Sequence, residues 1–494
     1  VQCQMMCIRT PRGVVGWGRI DDFTVVRGHL LAGDAPTDDS LHPLYPAGID
    51  LENGLAIRGG RVDLGYGRVQ VRGRRSGIAD GGLRAREMVI AGPLPWDVAP
   101  HGVRASDSLL PPRRSARFIQ HSGRVTLEDL TLADGLYLLR RGTLEADRAS
   151  VGGTPFASAT PTFVQRGGEA AFGRLSLGGT RQFYGVTNAA GTDPVLATTS
   201  GIEDGTLIPV PPRHVSRIVM SGGRLAADTM NVRGGIGPAT FLQTGGCVEA
   251  ADRLCITGAD AAYRMYGGGL TAGTLEVGAR HLTPAVSARL ATLALMRPVT
   301  DVHVTERMVF GHGSRLRARR GTTVHLTGTA EDTGSVRPTT FDILTTNERA
   351  LGSLNDLSLV FEGGTDGWST LEVGGVDYGF ANQGFVLNFA LEELHVGGEQ
   401  AAAMLRLVDL IDNQPDWNDR EALYVDRLFI TEGSWLDPAG LNIYYHEGHF
   451  PDTGGVLTDG GDGDGGGGGF ALLPEPATLA LLAAGLGVLL RRRP

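Results

Sequence analysis

The stretch from Phe241 to Gly278, FLQTGGCVEAADRLCITGADAAYRMYGGGLTAGTLEVG, states one pattern twice. Each half has an aromatic residue, a residue two on, a Gly-Gly pair, an apolar pivot, and two alternating apolar residues before Gly. Around the pivot Leu270 the apolar positions are Tyr263 (−7), Met265 (−5), Leu275 (+5) and Val277 (+7). Alternation at period two is a strand signal, since every second side chain shares a face. A Gly-Gly pair permits a sharp corner without a Cβ penalty. A short unit of strands and corners cannot bury its own apolar face, but stacked copies can. Internal repetition of this kind constrains the fold more than any single motif does.

The pattern recurs with pivots at Val62, Leu83, Val125, Leu144, Ala170, Leu225, Val248 and Leu270, at separations of 21, 42, 19, 26, 55, 23 and 22 residues. Val248 needs one extra residue in its turn, because Leu254 and Ile256 lie at +6 and +8. The expected fold is therefore all-β, a parallel β-solenoid (β-helix) of repeats about 20–25 residues long. An antiparallel sandwich also has short, regularly spaced strands, but it would not repeat one template. Position −5 is Gln at Gln120, Gln165 and Gln243, with Phe at −7, and apolar at Leu139, Met220 and Met265. The expected role of these glutamines is to satisfy backbone groups at the corner.

The expected organisation has five parts. Residues 1–50 form an irregular capping region, with a weak strand near Phe23–Val26. Residues 51–349 carry the solenoid, with insertions near 93–115 and 180–214. Residues 350–450 form a β module of longer strands with fuller apolar content; Ala422–Ile430, rich in Tyr, Val, Phe and Ile, reads as strand. Residues 451–473 are a Gly/Asp-rich linker and 474–494 a tail with one short hydrophobic helix.

Composition suits a turn-dense β structure and argues against a helical enzyme. Glycine contributes 74 of 494 residues, about twice the ordinary share. No lysine occurs, and 45 basic against 54 acidic residues leave a net charge of −9, so no basic stripe offers itself to nucleic acid. The chain opens on VQCQMMCIRT without Met or an apolar signal stretch, and that start reads as truncated, processed or misassigned. Of the four cysteines, Cys3 and Cys7 lack metal-ligand spacing. Cys247 and Cys255 leave two options, a disulfide between consecutive strands or buried thiols.

Several clusters of polar residues carry groups capable of chemistry. His446-Glu447-Gly448-His449 is not H-E-x-x-H: its histidines are three apart and follow a strand. Asp459, Asp462 and Asp464 lack a calcium-loop pattern and read as solvated spacer. Asp129, Asp147, Asp228 and Asp252 recur near the turns and would form a carboxylate row if the repeats stack. Such a row is what a polysaccharide lyase or hydrolase built on a β-helix would need; solvated turn residues are the simpler account. The expectation is no catalytic, cofactor-binding or metal residue, and no cofactor.

Two resemblances follow from particular strings. The FEGG, GFV–NFAL, LVDL–DN and EALYV–L–LN–YY strings over roughly 350–446 resemble the C-terminal module of repeat-bearing, autotransporter-like bacterial surface proteins that also carry PEP-CTERM tails. Pro474-Glu475-Pro476, the apolar run from Ala477 to Leu490, and Arg491-Arg492-Arg493 resemble the PEP-CTERM sorting signal. Fourteen apolar residues are short for a free-standing span, and the terminal arginines act as a membrane stop on the cytoplasmic side. The resemblance implies export, an exosortase-type membrane transpeptidase as partner, transient anchoring by 477–490, and exopolysaccharide as a second partner. The expected function is an exported structural or adhesive protein of the cell surface or matrix.

Overall fold

A computed structural model describes residues 5–8, 14–16, 18–20, 23–27, 29–32, 49–51, 54–71, 75–91, 116–152, 160–178, 215–234, 237–280, 290–298, 301–329, 339–399, 401–415, 417, 420–451 and 455–456. The tail, the linker acids Asp459, Asp462 and Asp464, Cys3, and the bodies of both insertions lie outside the described residues.

Each repeat is one rung of a parallel β-solenoid. In the rung of Leu270, the strand Ala261–Met265 is followed by a turn through Gly267 and Gly268 and then by the strand Gly269–Val277. The short strand pairs in parallel with Ala239–Gln243, and the long strand with Cys247–Thr257 on one side and Asp301–Phe310 on the other. The long strand is not straight. Its inward residues are Leu270, Ala272, Leu275 and Val277, so alternation breaks once, between +2 and +5. That break is a second corner, and a rung has three short inward-facing segments rather than two. The extra residue of the Val248 copy sits at this corner, where the register shifts between Ala250 and Arg253.

The pivots form one column. Val62, Leu83, Val125, Leu144, Ala170, Leu225, Val248 and Leu270 are direct register partners in succession, all buried in one continuous core. The two wide gaps are insertions, because Leu83 pairs with Val125 and Ala170 with Leu225 as neighbouring rungs. Complete burial of an aliphatic pivot is worth about 1.5–3 kcal/mol, and each rung repeats it at four or more positions.

The alternation of glutamine and apolar residues has a direct explanation. Gln243 Nε2 donates to the carbonyls of Gly246 (3.1 Å) and Gly269 (2.8 Å), tying its own corner to the next rung. The Tyr263 hydroxyl, one rung on, donates to Gln243 Oε1 at 2.6 Å. Gln120 and Tyr137 repeat the arrangement. Burial pushes both phenols well above their ordinary range, so the hydroxyls remain donors. Gln165 is followed in register by the rung of Ile218 instead of a tyrosine, and its Oε1 is buried without a hydrogen-bond partner. Tyr263→Phe should reproduce that orphan at Gln243 and cost about 1–3 kcal/mol, read as a lower urea midpoint. A change under about 0.5 kcal/mol would show that the hydroxyl carries nothing.

The solenoid extends past both expected boundaries. Met5–Ile8 pairs with Phe23–Val26, which pairs with Leu55–Asp63, and Val14 and Leu30 continue the pivot column upstream of Val62. Described strands within 1–50 are thus already rungs. Downstream the column runs through Val302, Val324, Leu359, Leu394 and Leu428. The 349/350 boundary is a change of texture within one ladder, where a 3-10 helix, Glu348–Asp356, and longer connections enter between the strands. Glu421–Ile430 is a strand.

A disulfide between Cys247 and Cys255 does not form: both are free, Cys247 exposed and Cys255 buried. They lie on either side of the corner in the strand Cys247–Thr257, one at the surface and the other in the interior.

Candidate functional site

The candidate site is a groove of about 480 Å³ on the outer side of the second corner, crossing the rungs of Val125 through Val248. Missing side chains excavate it. The rung of Ala170 presents only Ala171 and Gly173 beside Phe172, while the rung of Leu144 on one side presents Glu145 with Asp147, and on the other side the rung of Leu225 presents Ala226 with Asp228 and that of Val248 presents Glu249. Gly173 lies close over Asp147: a Cβ there would approach the Asp147 carbonyl to 2.7 Å. Asp147 and Asp228 stand two rungs apart, about 9–10 Å along the ladder. Phe172 and the alanines at +2 form the floor.

Two of the four carboxylates are engaged across rungs. Arg124 donates to both oxygens of Glu145 (2.9 and 2.7 Å), and Arg224 pairs with Glu249. Both arginines are exposed, so these pairs contribute little to stability but set the orientation of the glutamates. Asp147 and Asp228 are solvent-exposed at the rim. The arrangement offers hard oxygen acceptors above an alanine-lined trough, a surface suited to hydroxyl-rich ligands.

The expected row of four aspartates is therefore split. Asp147 and Asp228, at +3, line the groove; Asp129 and Asp252, at +4, do not. Asp129 instead takes an ion pair from Arg148 at 2.7 Å on the neighbouring rung. At a corner a one-residue difference turns the side chain to another face. Glu145 and Glu249, at +1, were missed by sequence reasoning, and their signal is the Arg at −1 of an adjacent copy.

His446 and His449 do not converge. His446 stacks on Phe385 with centroids 3.9 Å apart and lies 3.1 Å from Asp426. His449 stacks on Phe429, which stacks on His395. Glu447 faces Arg427 in register. Among the described residues no group of three or more His, Cys, Asp and Glu is arranged to hold a metal. No helix among them is long and apolar enough to cross a membrane, and Pro474, Glu475, Pro476 and Arg491–Arg493 lie outside them. No protein family, curated protein or solved structure matches this chain.

Proposed function

We propose that the chain is an exported structural or adhesive rod of the cell surface or extracellular matrix, sorted by its C-terminal tail. The supporting observation is the unbroken pivot column from Val14 to Leu428. At about 4.8 Å per rung it describes a rod of roughly 65–70 Å, a shape that spaces and displays surfaces. The groove is the face it offers to an extracellular polysaccharide. The tail supplies the address: its resemblance to a PEP-CTERM signal makes an exosortase-type transpeptidase the partner in export.

The test is expression of the full chain in a bacterium that has such a transpeptidase. The product should reach the surface with a mature C-terminus near Pro476 by mass spectrometry. Changing Pro474, Glu475 and Pro476 together to Ala should leave a membrane-held precursor. Equal processing of that variant would end the sorting reading.

One observation favours a second reading, a carbohydrate-active enzyme: two carboxylates face one groove at a separation near that used by inverting glycosidases, about 6.5–9.5 Å. The rod reading expects no new reducing ends or unsaturated products from the host polysaccharide. Turnover by the parent that disappears in Asp147→Asn/Asp228→Asn would establish the enzyme instead.

A further inference from the structure

Two acids 49 residues apart in sequence meet near the C-terminal end of the solenoid. Glu372 closes the strand Trp368–Glu372 and Glu421 opens the strand Glu421–Ile430; they are 1% and 4% exposed. The connection that leaves the strand Met404–Val408 wraps over both. Leu410 N and Ile411 N donate to Glu372 Oε1 at 2.9 and 2.7 Å, and Asn413 N donates to Glu421 Oε1 at 2.8 Å. Asn413 is fully buried and donates through Nδ2 to the carbonyls of Ile343 (2.8 Å) and Thr345 (3.2 Å). Glu421 Oε2 and Asn413 Oδ1 are then buried acceptors with no hydrogen-bond partner. An ionised carboxylate in that position would combine a desolvation cost with an unmet acceptor.

The charges acting on Glu421 make ionisation harder still. They are Asp409, whose Oδ2 lies 3.5 Å from Glu421 N, and Glu372. Arg420, the adjacent residue, donates to the Gly440 carbonyl at 3.0 Å. On the strands that flank it, Ala422 faces Gly375 and Asn442, and neither carries charge.

We propose that Glu421 is held protonated in the folded chain and acts as a pH-operated latch, closing the 409–414 connection over the last rungs. The proton comes from solvent and converts Oε2 from an orphan acceptor to a donor. Ionisation places a negative charge between Asp409 and Glu372 and opens the connection. The same event reaches a second element. Glu421 and Ala422 pair antiparallel with Val376 and Gly375, the foot of a flap over 377–389 whose Tyr378, Phe380, Val386 and Leu387 are exposed. The latch therefore governs the order of the aromatic surface at this end of the rod.

The sign of the effect follows from the direction of the shift. Burial first, then the Asp409 charge, push the Glu421 carboxyl from 4.5 up to about 8. A carboxyl raised in the closed state stabilises closure fully below its open-state value of about 4.5. That contribution falls about tenfold per pH unit and is exhausted above about 8.

The experiment is hydrogen exchange of the 410–414 amides in the full chain, normalised to an unstructured peptide at each pH. Between pH 5.5 and pH 9 their protection should fall more than tenfold. Glu421→Gln, neutral at every pH and still a donor, should change less than threefold across the same range. Asp409→Asn alters an exposed side chain and should complete the fall at lower pH. A Glu421→Gln chain that loses protection as steeply as the parent overturns the latch, as does an Asp409→Asn chain with an unmoved midpoint. Restoration of pH 9 protection in the parent by calcium chloride would also overturn it, by showing that a metal rather than a proton fills the site.

Discussion

Leu270→Asp should unfold the rungs around it while leaving distant rungs standing. Leu270 is 1% exposed and is a register partner of Val248 and Val302. A carboxylate there would be buried among apolar neighbours of the core, a cost of at least about 4 kcal/mol. In a stack that contacts only adjacent rungs, stability is a sum of rung terms and nearest-neighbour interfaces. The loss should therefore be local: protease sites open between residues 239 and 310, with hydrogen-exchange protection retained at Arg124–Leu132 and Glu421–Ile430. Thr271→Asp, one residue on and exposed, should stay within about 0.5 kcal/mol. Equal behaviour of the two variants would place Leu270 outside the core and refute the inward column.

The second large effect belongs to the corner. Gly268 has φ +92°, and a Cβ there would stand 2.2 Å from the Gly246 carbonyl of the preceding rung and 2.9 Å from Gln243 Nε2. Alanine at this position incurs left-handed strain and displaces the amide that ties Gly246 to Gly269. Together these should cost roughly 3 kcal/mol or more. Gly267, its neighbour in the pair, is the internal control. Its φ is not left-handed, and an added Cβ would meet only the Thr244 carbonyl at 3.4 Å, so Gly267→Ala should be close to neutral. Measured urea midpoints that rank the two in the opposite order would contradict this account of the corner.

The pair of glycines illustrates how much of the fold was readable in advance. Both look alike in sequence, but only the second is constrained, because only it takes a left-handed φ with a carbonyl of the previous rung too close to admit a Cβ. The pivots were legible because burial imposes a periodic choice of side chain, and Val62 through Leu270 align residue for residue. The second corner was harder to see. Five of its inward +2 positions are alanine, Ala85, Ala146, Ala227, Ala250 and Ala272, and alanine does not announce a buried face.

The sequence by itself determined the stacking unit, its register and the glutamine rungs, since each is a local pattern that recurs along the stack. Only the tertiary structure decided where the repeat ends. The rungs beyond residue 350 depart from the template spacing yet keep their ladder partners, and a ladder is a relation between segments rather than a motif in either. The same holds for the acids. Asp129 and Asp147 differ by one step along their rungs, and the corner sends one to Arg148 and the other to the groove. Glu372 and Glu421 carry no sequence sign of each other. Their meeting depends on the connection that folds over both, so only the assembled chain brings two buried carboxyls into one polar knot.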